Sequence, residues 1–127
     1  MSTRNFTVLT DVSLITCIVQ RGVADEVVRA SREAGAQGAT VSYARGTGVR
    51  ERLGLLGIAL ESEKEVIQIV VASDQADRVF EAMYLAGKLD TPGMGFMYVT
   101  ELEKAATYIP DSVLQRIEAN ARGRAAG

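Results

Sequence analysis

Two stretches decide the fold: Ala24-Asp25-Glu26-Val27-Val28-Arg29-Ala30-Ser31-Arg32-Glu33-Ala34-Gly35 and Ala76-Asp77-Arg78-Val79-Phe80-Glu81-Ala82-Met83-Tyr84-Leu85-Ala86-Gly87. Both read Ala-Asp-x-Val-x-x-Ala-x-x-x-Ala-Gly, and the second begins 52 residues after the first. An apolar, strand-like run precedes each copy, and a glycine-containing segment with another strand-like run follows it. Two strand-helix-strand copies in one short chain predict an α+β split βαβ sandwich.

Working outward, Leu14 to Val19 is rich in β-branched residues and reads as a buried strand ended by Gly22. Val23, Val27, Ala30 and Ala34 then fall at helical spacing, and Gly35 suits the position just past a helix end. Ala39 to Ala44 reads as the second strand, and Arg45 opens a polar, glycine-containing loop. Leu55 to Leu60 and Val66 to Ala72 read as a hairpin, with Glu61-Ser62-Glu63-Lys64 as its charged turn. Ser73 or Asp74 is placed to cap the second helix. Ala76, Val79, Phe80, Met83 and Ala86 make its apolar face. Pro92-Gly93 marks a turn, and Phe96 to Leu102 is the last core strand. Residues 1–11 read as a loose arm. Residues 111–122 read as a terminal helix with Ser112 and Gln115 in a capping box, and 123–127 as a frayed tail.

The order βαββαβ puts two helices on one face of an antiparallel sheet. The strand Val66-Ile67-Gln68-Ile69-Val70-Val71 carries little polarity on either face, so the other face also wants cover. Packing against a second copy of the chain would supply it.

A chain of 127 residues with 47% hydrophobic content fits a single domain. The net charge of −2 gives no basic footprint for nucleic acid. There is no histidine, which removes imidazole chemistry and His-ligated metal sites, and no metal cofactor is expected. The single cysteine, Cys17, lies in an apolar strand and reads as an inert buried thiol. No stretch has the length of a membrane span and no secretory leader is evident, so the chain reads as cytoplasmic.

Gly46-Thr47-Gly48 followed by Arg50 and Arg52 offers close backbone approach and forked donors to an anion. A plain hairpin end explains the same residues. Gly87-Lys88 and Gly93-Met94-Gly95 could form a second phosphate cradle, or simply a helix cap and a turn. Met94 and Met97 beside Phe96 could line an adenine pocket, although core packing explains them more simply. Glu61, Glu63 and Glu65 read as a solvated turn.

The ordered set Gly35-Ala36-Gln37-Gly38-Ala39-Thr40-Val41, Arg45-Gly46-Thr47-Gly48, Val66-Ile67-Gln68-Ile69-Val70-Val71, Ala86-Gly87-Lys88-Leu89 and Gly95-Phe96-Met97-Tyr98-Val99 resembles the PII nitrogen-regulatory proteins and their PII-like relatives, over roughly residues 13–109. The resemblance implies a ferredoxin-like homotrimer that binds an adenine nucleotide (ATP, ADP or AMP) between subunits. It implies regulation of a partner, such as a transporter or enzyme, through a T-loop in the region 45–56. Membrane contact would come only through that partner. Carried onto this chain, it assigns Gly46, Thr47, Gly48, Val49 and Arg50 to the base of the T-loop. Gly87, Lys88, Gly93, Met94, Gly95 and Phe96 fall to the phosphate-holding B-loop, with Asp90-Thr91-Pro92 as an insertion. Lys64 aligns with a lysine used for 2-oxoglutarate.

The departures are specific. Thr47 replaces an aromatic residue and Arg50 a glutamine. Phe96 stands where the family has a basic residue, and Thr107 and Ile109 where it has arginines. No tyrosine lies between Gly46 and Lys64, so the usual uridylylation acceptor is absent. Binding of another small anion (bicarbonate or a carboxylate metabolite) and a purely structural trimer are the alternatives. Catalysis is not expected, with no histidine and no defined carboxylate pair.

Overall fold

The two copies of the repeat become two helices laid over one four-stranded sheet. The computed structural model describes residues 8–46 and 62–107, with Ser112 and Gln115 beyond them. In chain order the elements are β1 (Val8–Leu9), β2 (Val12–Gln20), α1 (Ala24–Glu33), β3 (Thr40–Gly46), β4 (Ser62–Ala72), a 3-10 turn (Ser73–Gln75), α2 (Ala76–Ala86), β5 (Gly95–Leu102) and β6 (Ala105–Ala106). The hairpin strand expected at 55–60 and most of the terminal helix at 111–122 lie outside the described residues. Ser112 and Gln115 themselves have helical backbone.

Residues Asp11–Glu103 form one unit, and residues 1–10 with 104–127 form another. In the first, the strands run in the order β3-β4-β2-β5, every neighbour antiparallel. This is the expected split βαβ arrangement. In the second, Val8 pairs with Ala106 and Leu9 with Ala105. The reading of 1–11 as a loose arm is therefore corrected at Val8–Leu9, whose backbone groups are paired in a strand ladder.

Alternation along the strands sorts side chains onto two faces. Ile15, Cys17 and Val19 of β2, and Ile67, Ile69 and Val71 of β4, share a core with Ala24 and Val27 of α1 and Ala76, Val79 and Met83 of α2. Ile15, Val19, Val27, Ile67, Ile69, Val79 and Met83 are fully buried, each contributing about 1.5–3 kcal/mol relative to an exposed side chain. The opposite face presents Leu14, Ile18, Val66, Val70, Phe96 and Tyr98. Val70, Phe96 and Tyr98 remain exposed, and the rings of Phe96 and Tyr98 stack with centroids 6.0 Å apart. In the middle of that face Thr16 is 2% exposed, and its Oγ1 has no hydrogen-bond partner among the described residues.

The helices begin at equivalent repeat positions and end one residue out of step. After α1, Gly35 (φ +116°) takes the left-handed position. The Gly35 N–H donates to Arg32 O at 3.0 Å, and the Ala36 N–H to Ser31 O at 2.9 Å. After α2 the left-handed residue is Lys88 (φ +55°), not Gly87. There the Lys88 N–H donates to Leu85 O at 3.2 Å and the Leu89 N–H to Tyr84 O at 3.1 Å. Both ends form the same double-bonded C-terminal cap. Gly87 is glycine for a different reason. A Cβ there would stand 3.3 Å from both the Met83 carbonyl oxygen and Val27 Cγ2, where α2 packs on α1.

Neither Val23 ahead of α1 nor Gln75 ahead of α2 caps its helix with its own side chain. The cap expected from Ser73 is not the one its hydroxyl makes. Ser73–Gln75 form a 3-10 turn ahead of α2, and Ser73 Oγ instead bonds Ser13 Oγ at 2.8 Å. Residue 23, which precedes α1, has helical dihedrals (φ −97°, ψ −19°), whereas a capping side chain works from an extended backbone. The α1 N-terminus is served from another strand, as described next.

Candidate functional site

Chemistry gathers at the end of the sheet where β2 and β3 finish and β4 and β5 begin. Two expectations from sequence are corrected here. β3 continues through Arg45 and Gly46, and β4 starts at Ser62, so the supposed turn Glu61-Ser62-Glu63-Lys64 is strand from Ser62 onward. Gly46 pairs with Ser62, Arg45 with Glu63, Ala44 with Lys64 and Tyr43 with Glu65. A strand spreads Glu63, Lys64 and Glu65 alternately over both faces.

On the face away from the helices, Lys64 lies beside Gln20 of β2. Lys64 is only 8% exposed, its stem covered as long cationic side chains allow. It makes no ion pair or hydrogen bond among the described residues. The Gln20 Nε2 donates to the Gly93 carbonyl at 2.8 Å, tying the end of β2 to the loop before β5. Phe96 shares this face, opposite Ile18.

Of the sequence-predicted residues, Gly46, Lys64, Gly93, Gly95 and Phe96 thus come to one end of the sheet. They are not gathered into one pocket. Gly46 is on β3 and Gly95 on β5, the two outer strands, so about 14 Å of sheet separates them at ~4.8 Å per strand step. Gly87 and Lys88 cap α2, and Met94 lies in the loop after it, half-buried, its N–H donating to Thr91 O at 3.2 Å. Thr47, Gly48, Val49 and Arg50 lie outside the described residues.

The glycines of the second cradle have separate duties. At Gly95 (φ +146°) a Cβ would fall 2.1 Å from the Ile18 carbonyl oxygen, so glycine is what lets β5 close on β2. At Gly93 (φ +84°) nothing lies within 4 Å of that position, and only the backbone conformation favours glycine.

On the helix side of the same strands lies a cleft of about 680 Å³, lined by Arg21, Gly22, Tyr43, Ala44, Arg45, Glu63 and Glu65. Glu65 is buried. Its Oε1 accepts the Gly22 N–H in a very short contact and the Ala24 N–H at 3.3 Å. This carboxylate caps α1 from β4, which corrects the reading of Glu65 as part of a solvated turn. Glu63 Oε2 meets Arg21 Nη1 at 2.8 Å, both side chains largely exposed. Gln20, Arg21, Tyr43, Arg45 and the structural use of Glu65 escaped the sequence reading. The signal that could have found them is the alternation 63-64-65, had those residues been taken as strand.

Cys17 stands apart from all of this, buried in the core, where loss of solvation pushes its thiol up to about 12. Among the described residues no group of three or more acidic or cysteine side chains is arranged to hold a metal ion. No described helix is long and apolar enough to cross a membrane.

Comparison with known proteins places this architecture. A family model described as nitrogen regulatory protein P-II matches residues 12–112. Among solved structures, the crystal structure of Arabidopsis thaliana PII bound to citrate is similar, with a TM-score of 0.60 and 23% sequence identity over 74% of this chain and 79% of that one. No curated protein matches the chain.

Proposed function

We propose, from the premise that this chain belongs to the nitrogen regulatory protein P-II family, that it is a cytoplasmic signalling protein which binds an adenine nucleotide between copies of itself. The ligand state is then read by a regulated partner, a transporter or enzyme, through the segment 45–56. We read it as a regulator and not an enzyme.

The observation that carries the reading is Lys64. A cation with a covered stem and no partner among the described residues is held ready for an anion. It sits beside Gln20, whose amide holds Gly93 in place at 2.8 Å. The strand order supplies the second half of the argument. Gly46 and Gly95 are on opposite edges of one sheet, about 14 Å apart at ~4.8 Å per strand step, which favours a ligand shared between two copies. A neighbouring copy that brings its β5 edge toward this β3 edge could close both loops on it. A homotrimer would also cover Val70, Phe96 and Tyr98 on the face the helices leave open. In this site Gly46, Thr47, Gly48, Val49 and Arg50 of one copy meet Gly87, Lys88, Gly93, Met94, Gly95 and Phe96 of the next, and Lys64 and Lys88 supply charge to the phosphates.

Titration calorimetry with ATP, ADP, AMP and cyclic AMP tests this. Micromolar binding of at least one nucleotide is expected, weakened tenfold or more in Lys64→Ala. A charge-assisted contact is worth about 1.5–3 kcal/mol, and 1.4 kcal/mol is a factor of ten. No heat with any of the four, or unchanged affinity in Lys64→Ala, would refute it.

A second reading replaces the nucleotide with a small anion at Lys64. The similar Arabidopsis PII structure holds citrate, and a lysine beside a glutamine amide suits a carboxylate or bicarbonate equally well. Bicarbonate titrated with and without ADP separates the two.

A further inference from the structure

The geometry points to a second ligand site, on the helix side of the sheet, for a small monocarboxylate with a planar body. It occupies the cleft between Arg21, Tyr43, Arg45 and Glu63 and does not rest on the nucleotide reading. Lys64 faces the other side of β4, so the two sites share no side chain.

One cross-strand charge pair of the cleft does not form. Arg45 and Glu63 stand directly opposite on adjacent antiparallel strands, a position where opposite charges ordinarily pair. Glu63 Oε2 instead takes Arg21 Nη1 at 2.8 Å, and Arg45 is left with no ion pair among the described residues. Glu65, the other acid of the lining, is committed to the Gly22 and Ala24 N–H groups. The two arginines and two glutamates of the lining balance in charge, and the Arg45 guanidinium is the group among them with no ion pair or hydrogen bond among the described residues, with Arg21 beside it.

A guanidinium fork matches a carboxylate with two parallel hydrogen bonds. Glu63 and Glu65 in the walls disfavour a group of higher negative charge, which selects a single carboxylate over a phosphate. Tyr43 lies two residues before Arg45, on the same face of β3, and is 76% exposed. Its ring offers a flat surface to the body of a ligand whose carboxylate is held by Arg45. The volume of about 680 Å³ suits a small molecule.

The test is titration of the isotope-labelled full-length chain, followed by backbone amide shifts, with sodium benzoate as probe and inorganic phosphate as comparison. Benzoate is expected to give saturable shifts at Arg21, Gly22, Tyr43–Arg45 and Glu63–Glu65. Affinity should fall at least tenfold in Arg45→Gln and stay unchanged in Lys64→Ala. Tyr43→Ala should weaken benzoate but not acetate. Arg45 is exposed, so its replacement leaves the core untouched. Shifts that never saturate, equal affinity in Arg45→Gln, or phosphate binding as tightly as benzoate would each overturn the proposal. Benzoate binding that is lost in Lys64→Ala would overturn it too, by moving the anion to the opposite face.

Discussion

Glu65→Ala is the perturbation that asks most of this structure. The helix it serves has no cap of its own, because the residue ahead of it, Val23, is neither polar nor extended. Glu65 Oε1 satisfies two N–H groups of that turn, Gly22 and Ala24. Their environments differ. Gly22 is exposed, so water can replace the carboxylate there, and the loss is the net value of a charge-assisted bond, about 1.5 kcal/mol. Ala24 is 1% exposed, so its N–H would be left without a partner, at about 1–2 kcal/mol. Removing a negative charge from a helix N-terminus adds roughly 0.5 kcal/mol. Glu65→Ala should therefore destabilise the fold by about 3–4 kcal/mol. Glu65→Gln keeps an acceptor and should lose about 1–2 kcal/mol. Glu63→Ala, which removes only the exposed pair to Arg21, should cost under about 1 kcal/mol, less at high salt. Urea denaturation reads all three, since a slope of about 1–3 kcal/mol per molar turns 3 kcal/mol into a midpoint shift of roughly 1–3 M. Val23→Ser in the Glu65→Ala background should not rescue, because residue 23 has the wrong dihedrals for a cap. Glu65→Ala within about 0.5 kcal/mol of wild type, or below Glu63→Ala in cost, would refute the reasoning.

Gly95→Ala should cost more than 2 kcal/mol and Gly93→Ala about 1 kcal/mol by the same assay, since only the former drives a Cβ into the Ile18 carbonyl. Lys88→Gly should raise stability by about 1 kcal/mol, because a left-handed backbone (φ +55°) favours glycine, while weakening nucleotide binding if the lysine holds phosphate. Thr16→Val should raise the stability of the fold by about 1 kcal/mol, since it replaces a buried hydroxyl without a partner among the described residues by a group of the same shape. Burial holds the Cys17 thiol protonated up to about 12 against an ordinary 9.0. Above pH 9 the unfolded chain therefore binds fewer protons than the native one, and stability falls as pH rises toward 12. That alkaline loss should be smaller in Cys17→Ala, and the native thiol should resist alkylation at pH 8.

The repeat made the architecture readable, because apolar spacing and two Ala-Gly endings report core faces and helix ends directly. The two copies of the repeat begin at the residues where the helices start, Ala24 and Ala76, although the helical spacing itself ran the first helix from Val23. The repeat misassigned the second left-handed cap, since Gly87 is the expected residue by type while packing against Val27 and the Met83 carbonyl fixes it one place earlier. The Ser73 cap failed for a similar reason: a side chain suited to capping was drawn into a pair with Ser13 from another strand. Family resemblance singled out Lys64, Gly93 and Gly95, which share one end of the sheet, but could not tell phosphate contact from steric need. Gly95 is explained by the Ile18 carbonyl alone.

The misreading with the widest consequence is Glu61-Ser62-Glu63-Lys64. Four polar residues in a row resemble a solvated turn, and composition alone cannot distinguish that from a strand whose two faces are both polar. Register makes the distinction. Once Ser62 pairs with Gly46 and Lys64 with both Ala44 and Gln20, alternation sends Lys64 to one face and Glu63 with Glu65 to the other. The proposed anion site at Lys64 then falls on the first face, and the Glu65 cap of α1 and the cleft beside Arg45 fall on the second, from three consecutive residues. A one-residue slip of β4 would exchange the two faces, stranding the lysine among the α1 amides and the glutamates beside Gln20. The Glu65 cap does more than stabilise a helix. The buried Ile67, Ile69 and Val71 hold the register of β4, and the Glu65 cap ties the end that carries Lys64 to the start of α1, so if Lys64 holds the nucleotide as proposed, Glu65→Ala should weaken that binding while Glu63→Ala should leave it unchanged.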